Sequence, residues 1–498
     1  MADYAGDEPM MNGGNMSKQD KLVDDIIVMN GLHFDLPTEL SASVKRVNRI
    51  NYADKNTYSQ NDNELLIRIN SSNDYVIAGN CYLAFDIAIA ASATSAGTTA
   101  SNVAYVTMGN LGGASLFQRL IIETKNGAQA EYIDELSEYA AYNLYAENAP
   151  EYIADMAEAA LLLTDNNGYP FEPAGLSGAV SEVAPTASTI ISPTTTNVAS
   201  VSLATGVTGA TGSYSFDIIQ RRCVIPLWWL SGIFANKNTL IPSYLLSGLR
   251  IRLALRSNLA NVFTVYSELA GKLTAATVSS YLLSNVYIMT DSVELSPLIY
   301  RKLTSIAAER GLDYTFRTWY YQITNLSSTT SLNVEINKAV TRALEVRHQF
   351  YPQYGSGYFN DYNMTALFNI VQYYSRLGSL NFPAQPLTII GNTPGAGGDV
   401  DVINRSSEFY YQNMQDWKKT IDGCCGSDIR FSDFKKNYSS ICQCLERANL
   451  EFCGLPVNNS RSLASLLTFN TSRSLFCRSY LGYVKVLKVF LKESVPKE

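Results

Sequence analysis

The chain has 498 residues, of which 46% are hydrophobic, 11% aromatic and 17% charged, with a formal net charge of −7. That length exceeds what one hydrophobic core usually organises, so two or more domains are expected, and a composition led among aromatics by 32 tyrosines suits a β-rich globular protein. The acidic balance argues against a surface built to neutralise phosphates, so no strong nucleic-acid binding is expected.

The chain opens with a polar, methionine-containing arm from Met1 to about Asp20, expected to be mobile, and the first domain boundary is set after residue 29. The first forty residues lack the succession of charged, apolar and small residues of a secretory signal, and no run of about 18 apolar residues occurs anywhere. The protein is therefore expected to stay in a soluble compartment or to leave it without a signal peptide. Asp35 to Asn63 is polar and turn-rich; Leu65–Ile69 and Tyr82–Ile89 read as strands, with a flexible loop over Ala91–Ser101. Phe117–Thr124 reads as a strand closed by a tight turn at Lys125-Asn126-Gly127. A helix is expected from about Ile133 to Glu147, with Leu136, Ala140, Tyr142 and Leu144 on its apolar face and Asp134, Glu135 and Glu138 in its first turns, where the dipole favours them.

Leu161–Ser213 is an insertion of Ser, Thr, Ala, Gly and Pro, of a length that is usually functional or exposed. The organising stretch follows. Phe216–Gln220 reads as a strand running toward Pro226, and Leu249-Arg250-Ile251-Arg252-Leu253-Ala254-Leu255 has the period of a strand with one buried face. Between them, Leu227–Phe234 packs two tryptophans, Leu230, Ile233 and Phe234 into a span too short to cross a bilayer; it reads as a buried corner plugging a β-sandwich, with an exposed partner-binding patch as the alternative. Phe263–Tyr266 and Tyr281–Leu295 read as further strands, and a short helical stretch over Ser296–Leu312 marks the second boundary.

The second half repeats this programme. Tyr314–Thr324, Leu332–Ile336, Ala339–Phe350 and Phe368–Leu380 read as strands, followed by a bend at Asn381–Leu387, a Gly-rich loop and a helix from about Ser406 to Ile421. Tyr374-Ser375-Arg376-Leu377 echoes Phe117-Gln118-Arg119-Leu120, and the half closes with Ile441–Ala448, Leu463–Phe469 and Tyr480–Leu491. Repeated short strands with turn signals favour two tandem β-sandwiches. Within the bend, Gly378 permits a left-handed turn, and Pro383 and Pro386 fix the backbone. Arg376 is suited to a carboxylate across a subunit contact, or else makes an intrachain pair or faces solvent.

The residues Tyr374 to Leu387, the helix with Glu408, Tyr410, Tyr411, Met414 and Trp417, the stretch Ile225–Leu255, and the ending Cys453-Gly454-Leu455-Pro456-Val457-Asn458 through Tyr480–Leu491 together resemble a family. It is that of the double jelly-roll major capsid proteins of double-stranded DNA viruses, of the polinton-like and virophage-like type. The resemblance runs from about Asn30 to the end. It implies an all-β chain of two tandem jelly rolls, over residues 30–295 and 296–498, with short bracing helices and long loop insertions. It implies a homotrimeric, pseudo-hexagonal capsomer in an icosahedral shell, with neighbouring capsomers, penton proteins and minor capsid proteins as partners and the virion as location. The insertion at 161–213 becomes the candidate for an outward tower and Gly391–Arg405 for a smaller contact loop. Arg376, Gly378, Pro383, Gln385 and Pro386 become the candidate assembly residues. Whether a membrane lines the shell is left open.

Enzymatic readings fare poorly. There are two histidines, His33 near the arm and His348 in a strand-like run, and no nucleophile elbow, P-loop or metal-binding helix motif. His348 reads as a structural strand residue, the Gly395–Gly398 cluster as a flexible loop, and Asp134, Glu135, Glu138, Glu147, Glu151, Asp155 and Glu158 as a solvated helix face. The eight cysteines, six of them from Cys424 onward, lack paired hooks for zinc and read as buried thiols. No cofactor and no metal are expected. The alternatives are a carbohydrate-binding or adhesive β-sandwich, marked by exposed aromatics, and a carboxylate-dependent hydrolase.

Overall fold

The computed structural model describes residues 45–70, 74–95, 103–108, 111–124, 127–165, 198–199, 204–208, 214–235, 239–242, 248–259, 262–267, 273–352, 370–388, 410–411, 413, 440–445, 454–458 and 461–489. The arm, His33, most of the insertion, the Gly391–Arg405 loop, Cys424, Cys425, Cys453, Met414 and Trp417 lie outside the described residues.

The alternation in Leu249–Leu255 builds the centre of the first group of strands. Leu249, Ile251 and Leu253 are buried opposite Ile69, Ile67 and Leu65 on one side, and Ile251 and Leu253 opposite Ile122 and Leu120 on the other. Their polar neighbours turn outward: Arg250 is exposed, and Arg252 bridges Glu64 at 2.9 Å and Glu123 at 3.0 Å. With Gln129–Asp134 added at the edge, these strands form a four-stranded sheet. A seven-stranded sheet contributes Leu83, Phe85, Ile87, Ile225 and Ile288 to the same core. Burying side chains of this size stabilises the fold by about 1.5–3 kcal/mol each. A further four-stranded sheet joins Tyr214–Ile218, Ala204–Thr208, Val103–Met108 and Phe263–Ser267.

The described strands from Lys45 to Glu294 pair only among themselves, and so do those from Leu312 to Val489. Each group is closed by its own ends. Lys45–Tyr52 runs antiparallel to the end of Leu273–Glu294, and Leu312–Ile336 runs antiparallel to Leu463–Val489. Between the groups stands the helix Pro297–Glu309, its proline in the first turn, where a missing N–H costs nothing. The second group is a seven-stranded sheet whose core includes Val346, Leu377, Leu455, Leu463 and Leu481.

The corner is buried throughout, from Leu227 to Phe234, with a 3-10 turn at Leu227–Trp229 and a helical turn at Gly232–Ala235. The helices Leu136–Glu147 and Pro150–Ala160 lie beside it, with Asn143 Nδ2 donating to the Trp229 carbonyl at 3.2 Å. Ile153, Ala157 and Ala160 face inward while Glu151, Asp155 and Glu158 form an exposed face.

Several boundaries differ from the sequence reading. The turn-rich stretch Asp35–Asn63 contains the strand Lys45–Tyr52, which lacks ordinary alternation because its inward positions are polar: Arg49 pairs with buried Asp74, and Asn51 Nδ2 donates to the Ile288 carbonyl at 3.3 Å. Arg46 likewise pairs with buried Asp291. Ala91–Ser95 is strand rather than loop, because it is paired to Leu273–Val278. The helix begins at Leu136, not Ile133: Ile133 and Asp134 belong to the strand Gln129–Asp134, Asp134 pairs with Arg119, and Glu135 takes a left-handed backbone with φ of +47°. The insertion is not loop throughout, since Leu161–Leu163 are buried, Thr164–Asp165 pairs with Val198–Ala199, and Ala204–Thr208 is a sheet strand. Asn381–Leu387 is part of a strand, Leu380–Thr388, at the sheet edge, where prolines cost no ladder bond.

Candidate functional site

The most densely built feature is the seam between the two groups, centred on Glu131. A register shift after Ile122 leaves Ala130 as an extra residue and sets Glu131 opposite Ile122, on the buried face shared with Leu120 and Ile133. The carboxylate is fully buried and takes donors from both groups. Ser231 Oγ donates to it at 2.5 Å, Gly232 N at 2.9 Å and Ile233 N at 3.4 Å from the corner, and Thr318 Oγ1 at 2.9 Å from the second group. Burial pushes the Glu131 carboxyl up from its ordinary value, against the opposing pull of these donors.

Two more bonds cross the same seam. Tyr314 Oη donates to the Ile233 carbonyl at 2.7 Å, and Lys485 Nζ donates to the Gln129 carbonyl at 3.2 Å. Burial and the neighbouring Glu131 raise the Tyr314 phenol, while desolvation lowers Lys485. Gly232 makes the approach possible, because a Cβ there would lie 1.8 Å from the Arg317 carbonyl oxygen. Tyr314, Phe316, Trp319 and Tyr480 of the second group join the first group's core cluster.

Beside this clasp, Trp319 lies under two guanidinium groups, Arg317 at 4.7 Å and Arg347 at 4.1 Å from its ring centre. Both arginines pair with Glu345, which has no exposed surface. Tyr139 of the Leu136–Glu147 helix packs its ring 5.9 Å from Trp319, so an aromatic contact also joins the groups. Gly482, opposite Trp319 in the ladder, leaves room for this stack: a Cβ there would lie 3.0 Å from Glu345 Cγ and 3.1 Å from the indole.

His348 is a structural strand residue. Its ring is buried between Ser479 Oγ at 2.8 Å from Nδ1 and Ser465 Oγ at 2.7 Å from Nε2, and Ser375 and Tyr373 continue the network. Burial lowers its pKa to about 3, so the ring is neutral at ordinary pH. The described cysteines, Cys81, Cys223, Cys442, Cys444 and Cys477, are buried thiols, and burial raises Cys81 and Cys477 to about 12. Among the described residues no three His, Cys, Asp or Glu side chains are grouped for a metal, and no helix is long and apolar enough to cross a membrane.

The five residues singled out in the sequence come together on one hairpin, Ile370–Leu377 with Leu380–Thr388, at the sheet edge and apart from the seam. Gly378 makes the turn with φ of +61° and donates its N–H to the Ser462 carbonyl at 3.2 Å. Arg376, Gln385 and Pro386 are exposed and Pro383 is half-buried. No ion pair of Arg376 occurs among the described residues. Sequence reading passed over Glu131, Gly232 and Trp319. The available signal was a carboxylate two residues before Ile133, where alternation in a buried strand calls for an apolar side chain.

No protein-family model matches the sequence, and no characterised protein matches it by sequence. Solved structures do match it. The fold aligns with the Faustovirus major capsid protein at a TM-score of 0.50 and 9% identity, covering 90% of each chain. It aligns with a chain of the Sputnik virophage at a TM-score of 0.51 and 11% identity, covering 100% of this chain and 96% of that one. Nearly the whole length, both groups of strands and the seam between them, therefore has the double jelly-roll architecture found in viral major capsid proteins.

Proposed function

We propose that the chain is the major capsid subunit of a double-stranded DNA virus, assembling as a homotrimer with six lobes, two from each copy. The observation that carries this reading is the match to the Faustovirus major capsid protein over 90% of each chain, too long for one sandwich alone. The seam supports it: a subunit whose work is shape needs its two sandwiches held at one fixed relation, and a buried carboxylate with donors from both groups does that. Two jelly rolls over 30–295 and 296–498 are part of this reading, and the separation of the described ladders supports it. The insertion Leu161–Ser213 is assigned to an outward tower, and the pairing of Thr164–Asp165 with Val198–Ala199 inside it supports that reading. The exposed hairpin with Arg376, Gln385 and Pro386 is assigned to contacts between capsomers or with penton and minor capsid proteins. The work of the protein is burial and assembly rather than catalysis, and its place is the virion. Multi-angle light scattering of the purified chain tests this: a mass three times the 54.8 kDa chain is expected, and a monomer at every concentration would refute it.

A further inference from the structure

The donors on Glu131 are unevenly shared between the two groups. Ser231 Oγ, Gly232 N and Ile233 N belong to the first, and Thr318 Oγ1 to the second. The corner that supplies the first three is fixed from within its own group. Asn143 Nδ2 donates to the Trp229 carbonyl at 3.2 Å, and the helix Leu136–Glu147, which carries Asn143 and Tyr139, is tied down at Ser137. Ser137 Oγ donates to the Phe117 carbonyl at 2.8 Å and accepts from Arg256 Nε at 3.2 Å. A socket built this way keeps its form, and its carboxylate keeps most of its bonds, when the second group is away.

The second group is built the other way round. Its ribbon of Leu312–Ile336 with Leu463–Val489 sends Tyr314, Phe316, Trp319 and Tyr480 into the core cluster of the first group. Its own cluster, around Val346, Leu377, Leu463 and Leu481, takes no described residue from the first. Beside the ribbon, Glu345 is held by Arg317, by Arg347 and by the Cys442 thiol at 3.3 Å, with Trp319 against both guanidinium groups and Tyr139 of the first group against Trp319. Charges kept from water are tolerated only while their partners and cover stay in place. Without the first group, four large aromatic side chains turn to water and the ion cluster loses the ring packed on its cover. Apolar burial is what offsets the entropy of ordering a chain, so the ribbon orders on the socket.

We propose that the first strand group is an intramolecular folding platform: it holds its structure while the second group is open, and the second group folds only on it. The dependence runs one way. Its order matches synthesis, in which the N-terminal part of a chain emerges and folds first. It holds whether or not the chain builds a shell, because the seam lies within one copy.

Amide hydrogen exchange of the full chain, read by mass spectrometry under conditions where the rate follows the opening equilibrium, tests the direction. The platform allows three states: both groups folded, the second alone open, and both open. Amides of the second group exchange from either open state, and those of the first only from the last. Leu481→Ala, in the second core, is therefore expected to speed exchange over Val340–Pro352 and over Phe117–Glu123 by the same factor, about thirty-fold or more. Ile251→Ala, in the first core, is expected to speed Phe117–Glu123 by a comparable factor and to leave Val340–Pro352 unchanged. Variants that each act on their own group alone overturn the platform in favour of independent sandwiches. Variants that both act on both groups overturn it in favour of one cooperative unit. Ile251→Ala speeding both groups while Leu481→Ala speeds only the second overturns it by reversing the direction. Ile251→Val and Val346→Ala, at buried positions of the same two cores, make the comparison with smaller losses should an alanine variant fail to fold.

Discussion

Gly232→Ala is the sharpest probe of the seam. The new Cβ would lie 1.8 Å from the Arg317 carbonyl oxygen, 2.8 Å from Glu131 Oε1 and 2.9 Å from the Arg317 carbonyl carbon. Ordinary contact begins near 3.4 Å, so the two strand groups must separate locally by about 1.5 Å, because the nearest obstacle is backbone rather than the end of a flexible side chain. That displacement stretches the 2.9 Å bond from Thr318 to Glu131 and the 2.7 Å bond from Tyr314 to Ile233 beyond hydrogen-bonding range. A bond to a carboxylate contributes about 1.5–3 kcal/mol and a neutral one about 1 kcal/mol, and Glu131 is left buried with fewer donors, so the loss is about 3–5 kcal/mol. The comparison is Gly127→Ala, where φ is +77° but nothing lies within 4 Å of the added Cβ, so only backbone strain of about 1–2 kcal/mol is expected. Urea unfolding of both variants, followed by tryptophan fluorescence, reads the difference. A Gly232→Ala protein as stable as Gly127→Ala would refute the close approach at the seam.

Two titrations act with opposite sign. Glu131 has a raised pKa in the fold, so its contribution is fully present below the ordinary carboxyl range and is lost as pH rises through the raised value; Tyr314, Tyr483 and Lys485 are ionisable groups that feel it. Glu131→Gln should flatten that fall in melting temperature with rising pH, and an unchanged slope would count against it. His348 has a pKa lowered from 6.5 to about 3, so its contribution is present above 6.5 and is lost as pH falls from 6.5 toward 3, at about 1.4 kcal/mol per unit. His348→Gln should flatten the acid limb of the stability profile, while an unchanged acid limb would exclude a buried neutral imidazole. Arg376→Ala, at an exposed hairpin position, should leave subunit stability within about 0.5 kcal/mol and slow shell assembly seen by turbidity; normal assembly would remove Arg376 from the contacts.

Sequence reading succeeded where one face of an element is apolar and the other polar. Leu249–Leu255 alternates without exception, and the corner Leu227–Phe234 is apolar enough that burial was the natural reading. It failed where polar groups are buried in pairs. Lys45–Tyr52 places Arg49 and Asn51 inward against Asp74 and Thr290 while Ile50 and Tyr52 point outward, which inverts the signal that marks a strand. Glu131 was invisible for the same reason, since its donors lie about 100 and 187 residues away in sequence. The hairpin around Gly378 shows a third case: its residues were found, but the prolines read as a bend while the ladder keeps them in an edge strand.

Cryo-electron microscopy of the purified assembly tests the central claim most directly. Three copies of the chain, each supplying two adjacent sandwiches to a six-lobed ring, are the predicted result. A reconstruction in which the chain stands alone, or in which its two sandwiches are separated by a partner, would contradict the assignment as a capsid subunit.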